Sequence, residues 1–208
     1  MMGKVSAVIQ DPYFEQPSWI SKVEYKETTY LSRFSTSEDA ALFLTLVCGY
    51  NNIEVDREPA EVLNELITFD EIALSGGIAF EDKNKVIVPS CCCGLENWRD
   101  VLEAVQSKKD IWLGHDPFPT LEYLNDSVRV WSDDYTGTFR KDLSERELQK
   151  MFYIEYNRKD LIIKLHAIET DLLEFYKHSL EKVLCMTEDN LKEMLFLKYC
   201  RWFNLKVS

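Results

Sequence analysis

The chain has 208 residues, 46% hydrophobic and 12% aromatic, enough to bury a core in one domain with a helical extension rather than in two equal domains. Thirty-six acidic against 24 basic residues give a formal charge of −12, which opposes the phosphate attraction behind most nucleic-acid binding and argues against nucleic acid as a partner. No run approaches the ~18 apolar residues of a membrane span, and Met1-Met2-Gly3-Lys4-Val5 lacks the apolar core of a secretion signal, so a cytoplasmic location without membrane contact is expected.

Val5 to Ile9 predicts a short strand before the Asp11-Pro12 turn. Over residues 19–34, alternation of Trp19, Ser21, Val23 and Tyr25 against Ile20, Lys22, Glu24 and Lys26 predicts edge strands with a hairpin about Lys26-Glu27. Ser35-Thr36-Ser37 offers caps for a buried helix carrying Ala40, Leu42, Phe43, Leu44, Leu46 and Val47, ended by Gly49 and Asn51-Asn52. Pro59 opens a second helix with Val62, Leu63, Leu66 and Ile67.

Gly76-Gly77 leads into a hairpin turning at Asp82-Lys83-Asn84-Lys85, with Ile78, Phe80, Val86 and Val88 expected on one face. Leu95, Trp98, Val101, Leu102 and Val105 recur at helical spacing, giving an amphipathic helix over residues 95–107. A second hairpin with Asn125-Asp126 at its tip pairs Leu121 with Val130, Tyr123 with Val128 and Glu122 with Arg129. Beyond Leu143 the period is helical throughout: Ser144 and Glu147 form a capping box, Leu161, Leu165, Ile168, Leu172 and Phe175 form a seam, and a last helix starts after Thr187. The expected fold is α+β, a mostly antiparallel sheet of hairpins over residues 1–134, with helices packed on it and a C-terminal helical segment, 144–208, belonging to the same structural unit.

Six cysteines do not make a disulfide framework here, because Cys48, Cys185 and Cys200 fall in apolar helical patterns and Cys91, Cys92 and Cys93 are consecutive. Reduced thiols follow. Cys91 and Cys93 with His115 offer soft and borderline ligands suited to zinc, but Cys-x-Cys plus one histidine lacks a second ligand pair, and small buried thiols at a strand-to-helix junction are the competing reading. Cys93, at a helix start that favours thiolate, could alternatively be a nucleophile with His115 as base and Asp116 orienting the imidazole. Against that, Gly114-His115-Asp116-Pro117 has the composition of a plain turn, Asp133-Asp134 of a solvated loop, and Trp98, Trp112 and Trp131 of core. No phosphate-binding glycine loop, nucleophile elbow or His-Glu-x-x-His element is present, so no cofactor is expected and binding is favoured over catalysis.

Phe43-Leu44-Thr45-Leu46-Val47-Cys48-Gly49-Tyr50-Asn51-Asn52, the Ile111 to Asp116 segment, and Val128-Arg129-Val130-Trp131-Ser132-Asp133-Asp134 follow one another in an order that resembles the SMI1/KNR4 superfamily. The resemblance spans residues 37–134 and implies a bacterial, cytoplasmic, partner-binding protein of the toxin-neutralising immunity kind, with no catalytic residue carried over. The leading expectation is therefore non-catalytic binding of another protein, a basic one by charge, in an oligomeric state left open. The alternative is a cysteine-dependent or zinc-assisted enzyme built on Cys93 and His115.

Overall fold

A computed structural model describes residues 3–184 and 187–206 of the chain. Cys185, expected in a helix, lies outside the described residues. The fold is α+β with two antiparallel sheets. Strands β1 (Lys4–Gln10), β2 (Thr28–Leu31), β3 (Gly76–Asp82) and β4 (Lys85–Ile87) form the first, in the order β2-β1-β3-β4. Strands β5 (Thr120–Tyr123), β6 (Ser127–Trp131) and β7 (Tyr153–Asn157) form the second, in chain order.

The second hairpin has the register read from its sequence, Leu121 against Val130, Glu122 against Arg129 and Tyr123 against Val128. Its outer face is an ion cluster: Arg129 reaches Glu122 at 3.5 Å and Glu155, across β7, at 2.8 Å. Strand β7 itself was not expected, since the stretch after Leu143 was read as wholly helical. Alternation of the buried Ile154 and Tyr156 with exposed Glu155 and Asn157 is the strand signal, hidden between two capped helices. Tyr156 also ties the two sheets together, its hydroxyl donating to the Lys4 carbonyl at 3.0 Å.

Two other expectations are corrected. In the first hairpin Phe80 faces Ile87 and Glu81 faces Val86, so Ile87 is buried beside Phe80 while Val86 points out, 46% exposed. Parity across a four-residue turn, rather than the hydrophobicity of Val86, decides its face. The predicted hairpin over residues 19–34 is also absent: only β2 is strand, and it pairs with β1. The Gln16 amide bonds the Val23 backbone N–H and carbonyl at 3.2 and 3.3 Å, occupying groups that a strand partner would use.

Helix α1 (Ser37–Tyr50) starts at a Thr36–Asp39 capping box and is buried along most of its length. Gly49 lies inside α1 rather than ending it: the Phe14 ring sits where a Cβ would be. Helix α2 (Pro59–Thr68) begins with its proline, and α3 (Trp98–Ser107) follows a 3-10 turn over Leu95–Asn97. The capping box at Ser144 opens only α4 (Glu145–Leu148), a single turn. Helix α5 (Arg158–Phe175) crosses β1 and β2 with Leu161, Leu165, Ile168, Leu172 and Phe175 fully buried, then runs through a π-helical turn, Tyr176–Leu180, into α6 (Glu181–Val183). Helix α7 (Asp189–Trp202) packs against α2 and brings Tyr199 and Phe203 onto Phe43. The Trp98 indole donates to the Phe203 carbonyl at 2.8 Å, fixing α3 to the chain end. Among the described residues no helix is long and apolar enough to cross a membrane.

The Asp133-Asp134 pair is not a solvated loop. Asp134 is fully buried and its carboxylate accepts the backbone N–H groups of Thr138, Phe139 and Arg140, while Asp133 accepts from Phe118 N at 2.9 Å. Their oxygens are taken up by the chain, which leaves no lone-pair set for a cation. Replacing Asp134 by Ala strands three amides and is expected to lower unfolding free energy by about 2–4 kcal/mol in urea titration, with Asp134→Asn losing less.

Hydrogen bonds from the Ser144 hydroxyl and backbone, then from Arg140, hold the Glu147 carboxyl at about 2, below its ordinary 4.5. A depressed carboxyl stabilises the fold above its unfolded value and loses that contribution as pH falls through the folded one. The melting-temperature gap between the parent and Glu147→Gln should therefore be open near neutrality and close between about pH 4.5 and 2.

Candidate metal centre

After β4 the chain makes a tight turn, Cys93 N–H donating to the Ser90 carbonyl at 3.1 Å. Cys92, the third residue of that turn, has φ +64°, a conformation in which glycine or asparagine is the usual occupant. In an extended strand Cys91 and Cys92 would point to opposite sides. The left-handed residue folds the second sulfur back, and the two Sγ atoms stand 3.5 Å apart, both side chains exposed.

The Gly114-His115-Asp116-Pro117 segment comes alongside as an isolated antiparallel bridge: His115 N–H donates to the Cys91 carbonyl at 3.2 Å. The Ser90 hydroxyl lies 2.9 and 2.6 Å from the carbonyls of His115 and Pro117, spanning the same junction. Gly114 has φ +94°, and a Cβ there would lie 2.6 Å from the Cys91 carbonyl oxygen, so close approach of the two segments requires glycine.

This pairing brings the imidazole onto the sulfurs. Cys92 Sγ is 3.3 Å from His115 Nε2, and Cys91 Sγ lies 3.7 Å from Nε2 and 3.6 Å from Nδ1. Nδ1 also lies 3.4 Å from the Asp116 carboxylate. A carboxylate at Nδ1 favours a proton there and leaves the Nε2 lone pair for an acceptor role or a ligand. Trp112 and Phe118 flank the ring, with centroids 6.3 and 6.1 Å away. The Cys91 thiol is held above the ordinary thiol range, first by its hydrogen bond with Cys92 and then by desolvation and by the charges of Cys92 and Asp116.

Cys93 is not part of the cluster. It is half-buried and lines an apolar cavity of about 50 Å³ with Trp98, Val101 and Leu113, far below the ~300–1,000 Å³ of a small-molecule site. Burial, with the nearby Glu96 carboxylate, pushes its thiol up to about 11, so the helix start that should favour thiolate does not. Both the Cys93-centred nucleophile and the Cys91, Cys93, His115 ligand set therefore give way to Cys91, Cys92 and His115, the group among the described residues whose donor atoms converge. The reading of all three thiols as buried filler holds for neither Cys91 nor Cys92. Cys48 and Cys200 are buried, and desolvation raises their thiols to about 12 and about 11.

Cys92 is the member of this candidate group that the sequence does not single out; the available signal is the unbroken triplet, in which a turn can select neighbours that a strand would separate. A groove of about 500 Å³, bounded by Val86, Val88, Cys91, Asp116, Pro117 and Phe152, opens at the edge of the centre. Comparison of the chain with protein-family models, curated proteins and solved structures finds no match.

Proposed function

We propose that Cys91, Cys92 and His115 bind a thiophilic divalent ion, zinc fitting best, and leave one coordination position open toward the adjoining groove. One observation carries this reading: the spacing of the donor atoms. In a tetrahedral zinc site with Zn–S of ~2.3 Å and Zn–N of ~2.0–2.1 Å, neighbouring sulfurs lie about 3.8 Å apart and sulfur and nitrogen about 3.6 Å. The corresponding separations here are 3.5 Å for the sulfurs and 3.3 and 3.7 Å from them to Nε2; Cys91 Sγ also lies 3.6 Å from Nδ1, so a turn of the imidazole that aims the Nε2 lone pair between the sulfurs is needed to bring all three onto one ion. Two thiolates and an imidazole also match the preference of zinc, and three protein ligands with an open position are the arrangement that catalytic zinc sites keep for water or substrate. Asp116 orients the imidazole from Nδ1. This is the zinc-assisted alternative with Cys92 in the position expected of Cys93.

Zinc titration against a chromogenic chelator should show one tight site in the reduced full chain, weakened ~100-fold or more by Cys92→Ser or His115→Ala. Cys93→Ser should leave it unchanged. Gly114→Ala, which forces the His115 segment away from Cys91, should weaken binding without removing a ligand. Absence of zinc binding, or equal binding by Cys92→Ser, would sink the reading.

A second reading, partner binding of the immunity type implied by the SMI1/KNR4 resemblance, is supported by exposed aromatic side chains on a chain of net charge −12: Phe34, 84% exposed beside Arg33, and Tyr13, 67% exposed and stacked on Phe14. If it holds, a basic partner recovered in stoichiometric amount from the native host is released by Phe34→Ala or Tyr13→Ala but retained by Cys92→Ser.

A further inference from the structure

We propose that Cys91 and Cys92 are also a reversible modification site, oxidised to a vicinal disulfide by a low-molecular-weight disulfide of the glutathione type, and that this reaction withdraws two of the three ion donors. The ion-release half rests on the zinc reading above; the covalent half does not.

Geometry favours this pair over every other described thiol. Cys91 and Cys92 are exposed with Sγ atoms 3.5 Å apart, whereas Cys48 and Cys200 are buried and Cys93 faces the apolar cavity beside Trp98. Cys92 is also the sulfur nearest a base, 3.3 Å from His115 Nε2, with the Asp116 carboxylate near Nδ1. Cys92 is therefore the attacking thiol and Cys91 the resolving one.

His115 takes the Cys92 proton as the thiolate attacks one sulfur of oxidised glutathione; a mixed disulfide forms, and the first glutathione thiolate leaves with that proton. Cys91, losing its own proton, then attacks Cys92 Sγ, forming the Cys91–Cys92 bond and expelling the second glutathione thiolate, which is protonated in turn. Two protein thiols are oxidised and one glutathione disulfide is reduced to two thiols. Neighbouring Cα atoms are ~3.8 Å apart across a trans peptide, below the usual ~4.4–6.8 Å of a disulfide, so the product is open to reduction by excess thiol and the change is reversible.

The test compares the zinc-free and zinc-loaded full chain, each treated with oxidised glutathione, alkylated and mapped by peptide mass spectrometry, while a chromogenic chelator follows released zinc. The expected result is loss of two hydrogens from the peptide holding Cys91, Cys92 and Cys93, with fragmentation placing the alkyl group on Cys93 alone, no retained glutathione, slower reaction of the zinc-loaded form, release of zinc in step with oxidation, and full reversal by reduced glutathione. Cys91→Ser should trap a glutathione adduct on Cys92, and Cys92→Ser should accumulate much less adduct on Cys91. Retained glutathione in the parent chain, disulfide-linked dimers, or Cys91 and Cys92 both alkylated in the zinc-free protein would each overturn the covalent proposal. Zinc that stays bound after the disulfide has formed would overturn the release. Zinc binding is measured before oxidant is added, so failure of the metal reading shows separately, and the zinc-free arm still decides the disulfide.

Discussion

The centre depends on one backbone hydrogen bond between segments 24 residues apart, His115 N–H to the Cys91 carbonyl, and on the glycine that permits it. Without a side chain at Gly114 the two chains approach closely enough for the bridge, and the Ser90 hydroxyl spans the carbonyls on either side of Asp116. Each segment is held from behind. Gly76 N–H donates to the Cys93 carbonyl and Leu95 N–H to Leu74, stitching the cysteine turn to the start of β3, while Asp133 accepts from Phe118 N–H and fixes the other side to the end of β6. The imidazole and the sulfurs are brought together by both sheets at once, so their separation is a property of the fold rather than of one loop.

Much of that fold was legible. Long helices and the second hairpin follow from periodicity and turn chemistry, because a buried seam such as Leu161, Leu165, Ile168, Leu172 and Phe175 has no other arrangement that keeps all five dry. The features that escaped were those in which a local pattern met a competing partner. Val86 is as apolar as Ile87, and only pairing across the turn assigns one outward. β7 has five residues between helical stretches and becomes a strand because β6 offers an unpaired edge. Residues 19–27 alternate like a strand, yet the Gln16 side chain takes the bonds a neighbouring strand would need.

The site was half legible, for a physical reason that can be named. Cys91 and His115 stand out by residue type, and Asp116 as the group behind the imidazole; Cys93 is favoured over Cys92 in the sequence as the second cysteine of a Cys-x-Cys pair and as the residue at a helix start. One positive φ reverses that choice. Asp133 and Asp134 show the same limit from the other direction. Two adjacent carboxylates read as solvated charge, but a loop that bends back over them supplies enough amide donors to bury one completely.

The conformation of Cys92 decides which sulfur meets the imidazole. A residue other than glycine costs roughly 1–2 kcal/mol in the left-handed region, a cost that the exposed Lys83 and Lys108 bear as well. Cys92 is exposed, so it gains little from burial, and its described polar neighbours are another exposed thiol and an exposed imidazole. What sets Cys92 apart from those lysines is its neighbourhood, a sulfur 3.3 Å from a histidine whose other nitrogen faces a carboxylate, and the proposed ion and oxidant chemistry rests on that neighbourhood.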